Sequence, residues 1–328
     1  MVIEDNNYLG YFGDIWTRLF VDVGNQDPSQ HVEFKYYPKT IQPYLDLIFK
    51  DVSYKKFYDD TDVQFKVQEN NKVLLGFSTG SDSFASVYLL REQGYDVTLF
   101  HVKNVNRAYP LETKKAQEAA DFLGCPLVIY EAKYKGSTPY MENAIKNQYI
   151  LALMLDYGLK HDFAHYSMGN HYRDAISNAI ITLDYSDSQE LFVGFEKYVQ
   201  NYFPQYRFHT NIKNVSHAYE VLLKHPECLP YIVSCMCPNR FFNSRRQGNI
   251  DKYNANLYPN MCGSCRKCIR TYCLLVDKGI IEKNKAFYDK CMTSLREILK
   301  KGYEGRVYSN WNTLSDTDVI RIHCGLID

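Results

Sequence analysis

The sequence predicts an α/β fold in which an open parallel sheet of five strands is covered by helices on both faces. Three observations predict it: an apolar run at 73–77, a turn of small residues that follows it, and an alternation of strand-like and helical segments up to about residue 209. Such alternation favours a parallel sheet, because each strand–helix–strand unit carries the chain back across the sheet before the next strand begins.

The predicted elements follow one another at short intervals. Each strand is a short apolar run, and each helix is a longer segment with a periodic pattern. Glycine follows three of the helices, at Gly94, Gly124 and Gly158, where it commonly ends a helix. The predicted strands are 73–77, 97–102, 126–130, 162–167 and 206–209, and the helices between them are 83–93, 112–123, 143–157 and 190–202.

Further segments flank the alternating region. The N-terminal part is rich in aromatic residues and holds strand-like runs such as 32–37 and 63–67, and its role is open. The C-terminal part has a helical pattern. The four predicted segments are an N-terminal extension at 1–68, the α/β domain at 69–233, a cysteine module at 234–275 and a C-terminal helical extension at 276–328.

The composition is that of a globular protein without a strong charge. The chain has 328 residues, 45% of them hydrophobic, and its 38 Lys and Arg residues balance 38 Asp and Glu residues. A neutral chain has no overall field that holds it on nucleic acid or on an anionic membrane, so we expect neither partner, although a local basic patch stays open. We also expect a cytoplasmic protein, because the sequence shows no basic and apolar leader and no membrane-spanning run.

The turn after the first predicted strand indicates a nucleotide site. Residues 78–83 read Ser-Thr-Gly-Ser-Asp-Ser. Small residues let consecutive backbone N–H groups surround a phosphate, and the positive end of the next helix points at the same place. The hydroxyls of Ser78 and Ser83 add donors, and Asp82 suits a phosphate-bound Mg²⁺, because a bare carboxylate would repel phosphate. No Walker-type Gly-Lys-Ser/Thr ending is present, which argues against ordinary γ-phosphoryl transfer.

A cluster of cysteines predicts a structural zinc site. Cys262, Cys265 and Cys268 are each separated by two residues, and either Cys235 or Cys237 supplies the fourth thiolate. In a cytosolic chain such a cluster holds metal rather than disulfides, and four thiolates close the tetrahedral shell of Zn²⁺. The isolated cysteines are instead expected to be small buried hydrophobic residues, and these are Cys125, Cys228, Cys291 and Cys324.

Together these features resemble the PP-loop ATP pyrophosphatases, whose loop reads Ser-Gly-Gly-x-Asp-Ser. Among them the 7-cyano-7-deazaguanine synthases also carry a cysteine knuckle after the sheet, and the resemblance spans roughly residues 70–275. It implies a Rossmann-like fold of the PP-loop (HUP) type. It also implies that Ser78, Asp82 and Ser83 are catalytic, and that ATP and Mg²⁺ bind at Ser78, Thr79, Gly80, Ser81, Asp82 and Ser83.

Smaller matches imply further site residues. Asn147 follows Lys146 where the family has Arg-Asn, which implies a nucleotide contact. Tyr185 and Asp187 lie in a segment that resembles the family's Tyr-Pro-Asp-Cys, which implies substrate contacts. The pair at 234–235 resembles the Ser-Cys that supplies the family's first zinc ligand, which favours Cys235 as the fourth thiolate.

The chain departs from the family at several positions. Thr79 replaces the first glycine of the loop, where a side chain narrows the phosphate site or forces a backbone angle that suits glycine. Lys146 and Gln189 stand in place of arginines, and His217 in place of a lysine. These changes predict weaker adenylation or altered substrate contacts.

The resemblance implies a carbon–nitrogen ligase. A carboxylate attacks the α-phosphate of ATP, pyrophosphate leaves, and ammonia converts the acyl adenylate to an amide. In the family a second ATP dehydrates this amide, so that 7-carboxy-7-deazaguanine becomes 7-cyano-7-deazaguanine for queuosine biosynthesis. A deazapurine carboxylate and ammonia are therefore the expected partners, and a homodimer is the default assembly.

Two alternatives stay open. The same loop can activate another acceptor, either a tRNA base or an acid joined to a different amine, and the neutral charge argues against tRNA. Alternatively, the altered loop belongs to a zinc-stabilised scaffold without catalysis, since a fold alone does not establish an activity.

Overall fold

The computed structural model describes residues 2–5, 10–24, 31–49, 51–60, 62–103, 112–131, 142–169, 189–213, 215–233, 266–277 and 279–300. Its strands are β1 (Val2–Asp5), β2 (His31–Pro38), β3 (Asp51–Tyr58), β4 (Lys72–Gly76), β5 (Asp96–Lys103), β6 (Leu127–Glu131), β7 (His165–Ser167) and β8 (Arg207–His209). Its α-helices are α1 (Tyr11–Gly24), α2 (Gln42–Ile48), α3 (Ser81–Glu92), α4 (Glu112–Leu123), α5 (Glu142–Lys160), α6 (Gln189–Gln200), α7 (Val215–Leu223), α8 (Arg266–Asp277) and α9 (Lys285–Lys300).

The main sheet has six parallel strands in the order β1-β6-β5-β4-β7-β8. Strands β4 to β8 are the five that the sequence predicts, so the α/β fold with a parallel sheet is confirmed. The sixth strand, β1, comes from the N-terminal extension and pairs with β6 from Val2–Leu127 to Asp5–Tyr130. Strands β2 and β3 form a separate parallel pair.

One predicted helix end is wrong. Gly158 does not end α5, which continues to Lys160. A Cβ atom at position 158 would lie 2.8 Å from Cζ of Tyr166, so the missing side chain lets β7 pack close to the helix. Gly158 is therefore explained by the close approach of α5 and β7, and it does not cap the helix.

Two predicted strand positions also need correction. Residues 63–67 are not a strand, because the N–H groups of Phe65 and Val67 donate to the Tyr202 carbonyl and the Gln205 side chain instead of to a neighbouring strand. The strand predicted at 162–167 begins only at His165, since Asp162 has a φ of 60° and forms a turn.

Alternate side chains of the central strands enter two separate cores. Leu75 and Leu99 pack on one side of the sheet, and Leu74 and Phe100 pack on the other, as the two-residue period of a strand requires. We call the first side, with α3, α4, α7, α8 and α9, the aliphatic face, and the second, with α1, α2, α5 and α6, the aromatic face. Cys125, Cys228 and Cys291 are buried on the aliphatic face, which confirms their prediction as small core residues. Cys324, predicted with them, lies outside the described residues.

A buried carboxylate attaches the N-terminal extension to the domain. Asp156 of α5 accepts hydrogen bonds from the backbone N–H groups of Phe12 (3.0 Å) and Gly13 (2.8 Å) in the first turn of α1. These donors have no partner inside a helix, so the carboxylate acts as a cap supplied by another element. In the part of the chain that the structure describes, no helix combines the length and the apolar character needed to cross a bilayer.

Candidate functional site

The turn at 78–83 follows β4, the strand at which the order of strands along the sheet reverses. Strand β4 is flanked by β5 on one side and by β7 on the other, so the connections leaving it diverge. In open parallel sheets, ligands bind beyond the carboxyl ends of the strands at such a point. The turn therefore lies where ligands bind in sheets of this type.

Two serine hydroxyls close the turn. Oγ of Ser78 lies 3.0 Å from Oγ of Ser83, and the Ser78 N–H donates to the same Ser83 oxygen at 3.4 Å. Ser83 is buried, whereas Ser78 is exposed. The predicted pair is thus brought together at the mouth of the turn, with one hydroxyl open to a ligand.

Gly80 begins helix α3 as its N-cap. Because the cap residue has no side chain, no oxygen of its own covers the N–H groups of the first turn. A Cβ atom at this position would lie 3.4 Å from Oγ of Ser78 and 3.9 Å from Oγ of Ser83, which is ordinary contact. Glycine is therefore not required by the local packing, and its effect is to leave the end of the helix open to an anion.

Thr79 shows the second of the two expected consequences of replacing the family's glycine, a backbone angle that suits glycine. Its φ is 59°, a left-handed conformation that a β-branched residue rarely adopts. Its Oγ1 donates to the Ser78 carbonyl at 2.6 Å, and the side chain is 3% exposed. The loop thus keeps the glycine conformation with threonine in place, at a cost of about 1–2 kcal/mol.

Three contacts outside the loop hold it in this conformation. The imidazole Nδ1 of His101 lies 3.0 Å from the Phe77 carbonyl oxygen, and the Val233 N–H donates to the Thr79 carbonyl at 2.8 Å. Gly169 has a φ of 56°, and a Cβ atom there would lie 2.7 Å from Cα of Ser83. None of these three contacts was predicted from the sequence, because each joins the loop to a residue distant from it along the chain.

Residues from neighbouring strands approach one another at the carboxyl edge of the sheet. Met168 follows β7, and its Sδ lies 2.8 Å from the position that a Cβ atom of Gly76 would take, so the loop after β7 does reach the end of β4. Lys103 ends β5 and lies 3.6 Å from the carboxylate of Glu131 at the end of β6. Residues 104–111 lie outside the described residues.

Asp82 stands in the first turn of α3, where a carboxylate is favoured by the helix dipole. Its Oδ1 accepts a hydrogen bond from Oγ of Ser81 at 3.2 Å, and both residues are half-buried. A hard cation bound to phosphate prefers an oxygen ligand of this kind. The position of Asp82 at the mouth of the turn therefore fits the predicted Mg²⁺ ligand.

The structure does not test the predicted roles of the remaining site residues. Asn147 lies half-buried in the second turn of α5. Cys268 is 1% exposed at the start of α8, within the core of the aliphatic face. The described residues contain no cluster of three or more His, Cys, Asp or Glu side chains that would hold a metal. The other predicted contacts lie outside the described residues, and these are Tyr185, Asp187, Cys235, Cys262 and Cys265.

Part of the chain is similar to tRNA-specific 2-thiouridylases. It is 37% identical to MnmA 1 of Clostridium tetani over 89 residues, which cover 24% of this chain and 25% of the relative. It is 29% identical to MnmA of Haemophilus ducreyi over 97 residues, which cover 27% of this chain and 25% of the relative. The chain thus spans about a quarter of the length of the curated relatives it matches, and no protein-family model matches it.

These relatives are members of the PP-loop ATP pyrophosphatase superfamily. The similarity therefore supports the resemblance at the level of the superfamily. It does not confirm the finer resemblance to the 7-cyano-7-deazaguanine synthases.

Proposed function

We propose that this protein is a PP-loop enzyme that transfers the AMP part of ATP to an acceptor and releases pyrophosphate. The observation that carries the proposal is the turn at 78–83, which starts α3 at the carboxyl end of the central strand with two hydroxyls and an open helix N-terminus. Such a turn binds phosphate through backbone N–H groups and the helix dipole, and it lacks the lysine of a γ-phosphoryl transfer loop.

In this proposal each loop residue has a defined task. Ser78 and Ser83 donate hydrogen bonds to the departing diphosphate, and Gly80 leaves room for it against the helix end. Asp82 holds Mg²⁺, which offsets the charge of the phosphates when it is bound. The protein then accelerates the reaction by holding the acceptor oxygen in line with the α-phosphate, so no catalytic triad is needed.

The first acceptor that we propose is a deazapurine carboxylate. Its oxygen attacks the α-phosphate, pyrophosphate leaves, and ammonia displaces AMP to give the amide. A second ATP activates the amide oxygen, which departs with AMP as the nitrile forms. The support is the sequence resemblance at Tyr185, Asp187 and the cysteine spacing 262–268.

The second acceptor is a base of tRNA, and both relatives named above favour it because they are tRNA-specific 2-thiouridylases. Here a carbonyl oxygen of the base attacks the α-phosphate, and a sulfur or nitrogen nucleophile then displaces AMP. The balanced net charge of the whole chain counts against a large RNA surface, since RNA binding depends on neutralised phosphates.

Pyrophosphate release tests the shared step and separates the acceptors. The protein is incubated with ATP and Mg²⁺, and either 7-carboxy-7-deazaguanine with ammonium or unmodified tRNA is added. Release stimulated by the carboxylate supports the first acceptor, and release stimulated by tRNA supports the second. Ser78→Ala and Asp82→Ala are expected to lower the rate on the order of 10²-fold, whereas Glu92→Ala, at the far end of the same helix, leaves it unchanged. A wild type as inactive as these variants favours the scaffold alternative.

The cysteine module completes the proposal with a structural Zn²⁺. Cys262, Cys265, Cys268 and Cys235 supply four thiolates, a donor set that suits Zn²⁺ and leaves no open position for catalysis. Metal analysis of the purified protein is expected to find one zinc per chain. Cys265→Ser is expected to lose it, and Cys291→Ser, which changes a buried core cysteine on α9, is expected to retain it.

A further inference from the structure

His101 is a buried histidine at the carboxyl edge of the sheet that the proposed chemistry does not use. It lies on β5 and is 1% exposed. Its Nδ1 lies 3.0 Å from the Phe77 carbonyl oxygen. A carbonyl oxygen only accepts, so Nδ1 carries the proton and donates. Burial lowers the pKa of the imidazole, which keeps it neutral and leaves Nε2 without a proton.

The hydrogen bond of His101 lies where the chain leaves the sheet. The ladder between β4 and β5 ends at the pair Gly76–Phe100, followed by one more bond from the Phe77 N–H to the Phe100 carbonyl. The carbonyl of Phe77 is the next acceptor, and Ser78 follows it. An imidazole donor at this point holds the carbonyl of Phe77, the first residue after β4, and therefore sets the direction in which the loop departs.

The second ring nitrogen does not explain the burial of His101. Within the described residues, Nε2 has no hydrogen-bond partner. A buried polar atom without a partner lowers stability, and an apolar residue of similar size would avoid that loss. The hydrogen bond to Phe77 is therefore the described interaction that distinguishes histidine from an apolar residue at this position.

We propose that His101 is a positioning residue for the ATP loop, which holds the Phe77 carbonyl so that Ser78 and the first turn of α3 face a phosphate. Its effect on ATP rests on the proposed function, but its effect on the loop conformation does not. The residue touches neither ATP nor the acceptor in this proposal. It acts through the backbone that leads to Ser78.

Two substitutions distinguish the effect of the N–H donor from the effect of the imidazole ring. His101→Asn keeps an N–H donor at the position of Nδ1 and removes Nε2, whereas His101→Leu removes both nitrogens and keeps an apolar side chain. Ser86→Ala is the matched control, because Ser86 is 1% exposed on α3 and its Oγ has no partner among the described residues. It alters a buried polar atom three residues after the loop, and no hydrogen bond joins that atom to Phe77 among the described residues.

We expect His101→Leu to raise the KM for ATP about tenfold, as the loss of one hydrogen bond to a positioned group predicts, with less than a threefold change in kcat. His101→Asn is expected to restore KM to within about threefold of the wild type, and Ser86→Ala to leave it unchanged. Equal KM values for His101→Leu and the wild type, or His101→Asn as impaired as His101→Leu, would overturn the proposal.

Amide hydrogen exchange of residues 78–84 without ATP distinguishes the failure of this inference from the failure of the proposed function. Exchange is expected to be faster in His101→Leu than in the wild type and close to the wild type in His101→Asn. If the wild-type protein binds no ATP, the proposed function fails, and the exchange rates alone decide the role of His101. Unchanged exchange in His101→Leu would refute it in either case.

Discussion

The two faces of the sheet are built from different side chains. On the aromatic face about half of the core residues are Phe, Tyr or Trp, whereas on the aliphatic face fewer than a fifth are. The aliphatic face instead holds alanines such as Ala85 and Ala116 where α3 and α4 pack on the sheet. Small side chains let a helix approach the sheet closely, and aromatic rings fill a wider space.

The two faces of the sheet have different roles. Helix α3, which starts at the candidate ATP loop, packs on the aliphatic face, where close packing leaves its N-terminus little freedom. The aromatic face is formed largely by α1, α2, α5 and α6. Because α1 and α2 belong to the N-terminal extension, that extension contributes part of the hydrophobic core. We therefore expect changes on the aromatic face to lower stability, and changes around the loop to lower ATP binding more than stability.

The largest expected effect is that of Trp16→Ala on the aromatic face. Trp16 is fully buried, with ring centroids 4.9 Å from those of Tyr44 and Phe195. Truncation is expected to lower the free energy of unfolding by about 3–5 kcal/mol, measured by denaturant titration. Leu47→Ala, at a residue 41% exposed on the neighbouring helix, is the control and is expected to cost under about 1 kcal/mol. A Trp16→Ala protein as stable as the control would break the comparison.

Asp156→Asn tests how the N-terminal extension is held on the aromatic face. Burial raises the pKa of Asp156 from 3.8 to about 7, against the lowering effect of the hydrogen bonds from Gly13 and Phe12. The folded protein therefore binds this proton more tightly than the unfolded chain. Its contribution to stability is fully present below about pH 4 and is lost as the pH rises through about 7, by up to about 4 kcal/mol.

The measurement is the free energy of unfolding between pH 4 and pH 8. In this range the wild type is expected to lose stability relative to Asp156→Asn, whose side chain does not titrate. Asp14→Asn, on the exposed side of α1, is expected to follow the wild type. Parallel curves for wild type and Asp156→Asn would contradict the prediction.

Gly169→Ala tests the close packing at the loop. A Cβ atom there would meet Cα of Ser83 at 2.7 Å, and the positive φ adds strain. We expect a loss of about 2–3 kcal/mol of stability together with a loss of ATP binding, measured by calorimetry. Gly94→Ala separates the two causes, because Gly94 has a φ of 85° with no atom within 4 Å of its Cβ position. It is expected to cost about 1 kcal/mol and to bind ATP normally, and a similar loss of binding would reject the packing argument.

The smallest expected effect is that of Thr79→Gly. Glycine adopts a φ of 59° without strain, so ATP binding is expected to be equal to or up to about fivefold tighter than in the wild type, with a stability change within about 1 kcal/mol. Thr79→Val keeps the strain and removes the hydrogen bond to Ser78, and is expected to bind no better than the wild type. Binding by Thr79→Gly that is weaker than in the wild type and as weak as in Thr79→Val would show that the threonine hydroxyl matters more than the backbone angle.

Local patterns predicted the centre of this protein well. The strand at 73–77, the loop after it and the start of α3 are contiguous, so their order and type can be read from neighbouring residues. The positive φ of Thr79 was one of the two consequences expected from the replacement of the family's first loop glycine. The prediction of a helix end at Gly158 was wrong, because that glycine is required by a contact with Tyr166 from a different element.

What the sequence determined by itself is the α/β alternation and the identity of the loop at 78–83, since both depend on neighbouring residues. Only the tertiary structure decided that β1 joins the sheet, that α1 covers its aromatic face, and that His101, Gly169 and Val233 hold the loop. The physical reason is distance along the chain. These contacts join residues that no periodic pattern relates, and they form only when the packed sheet brings the ends of its strands together.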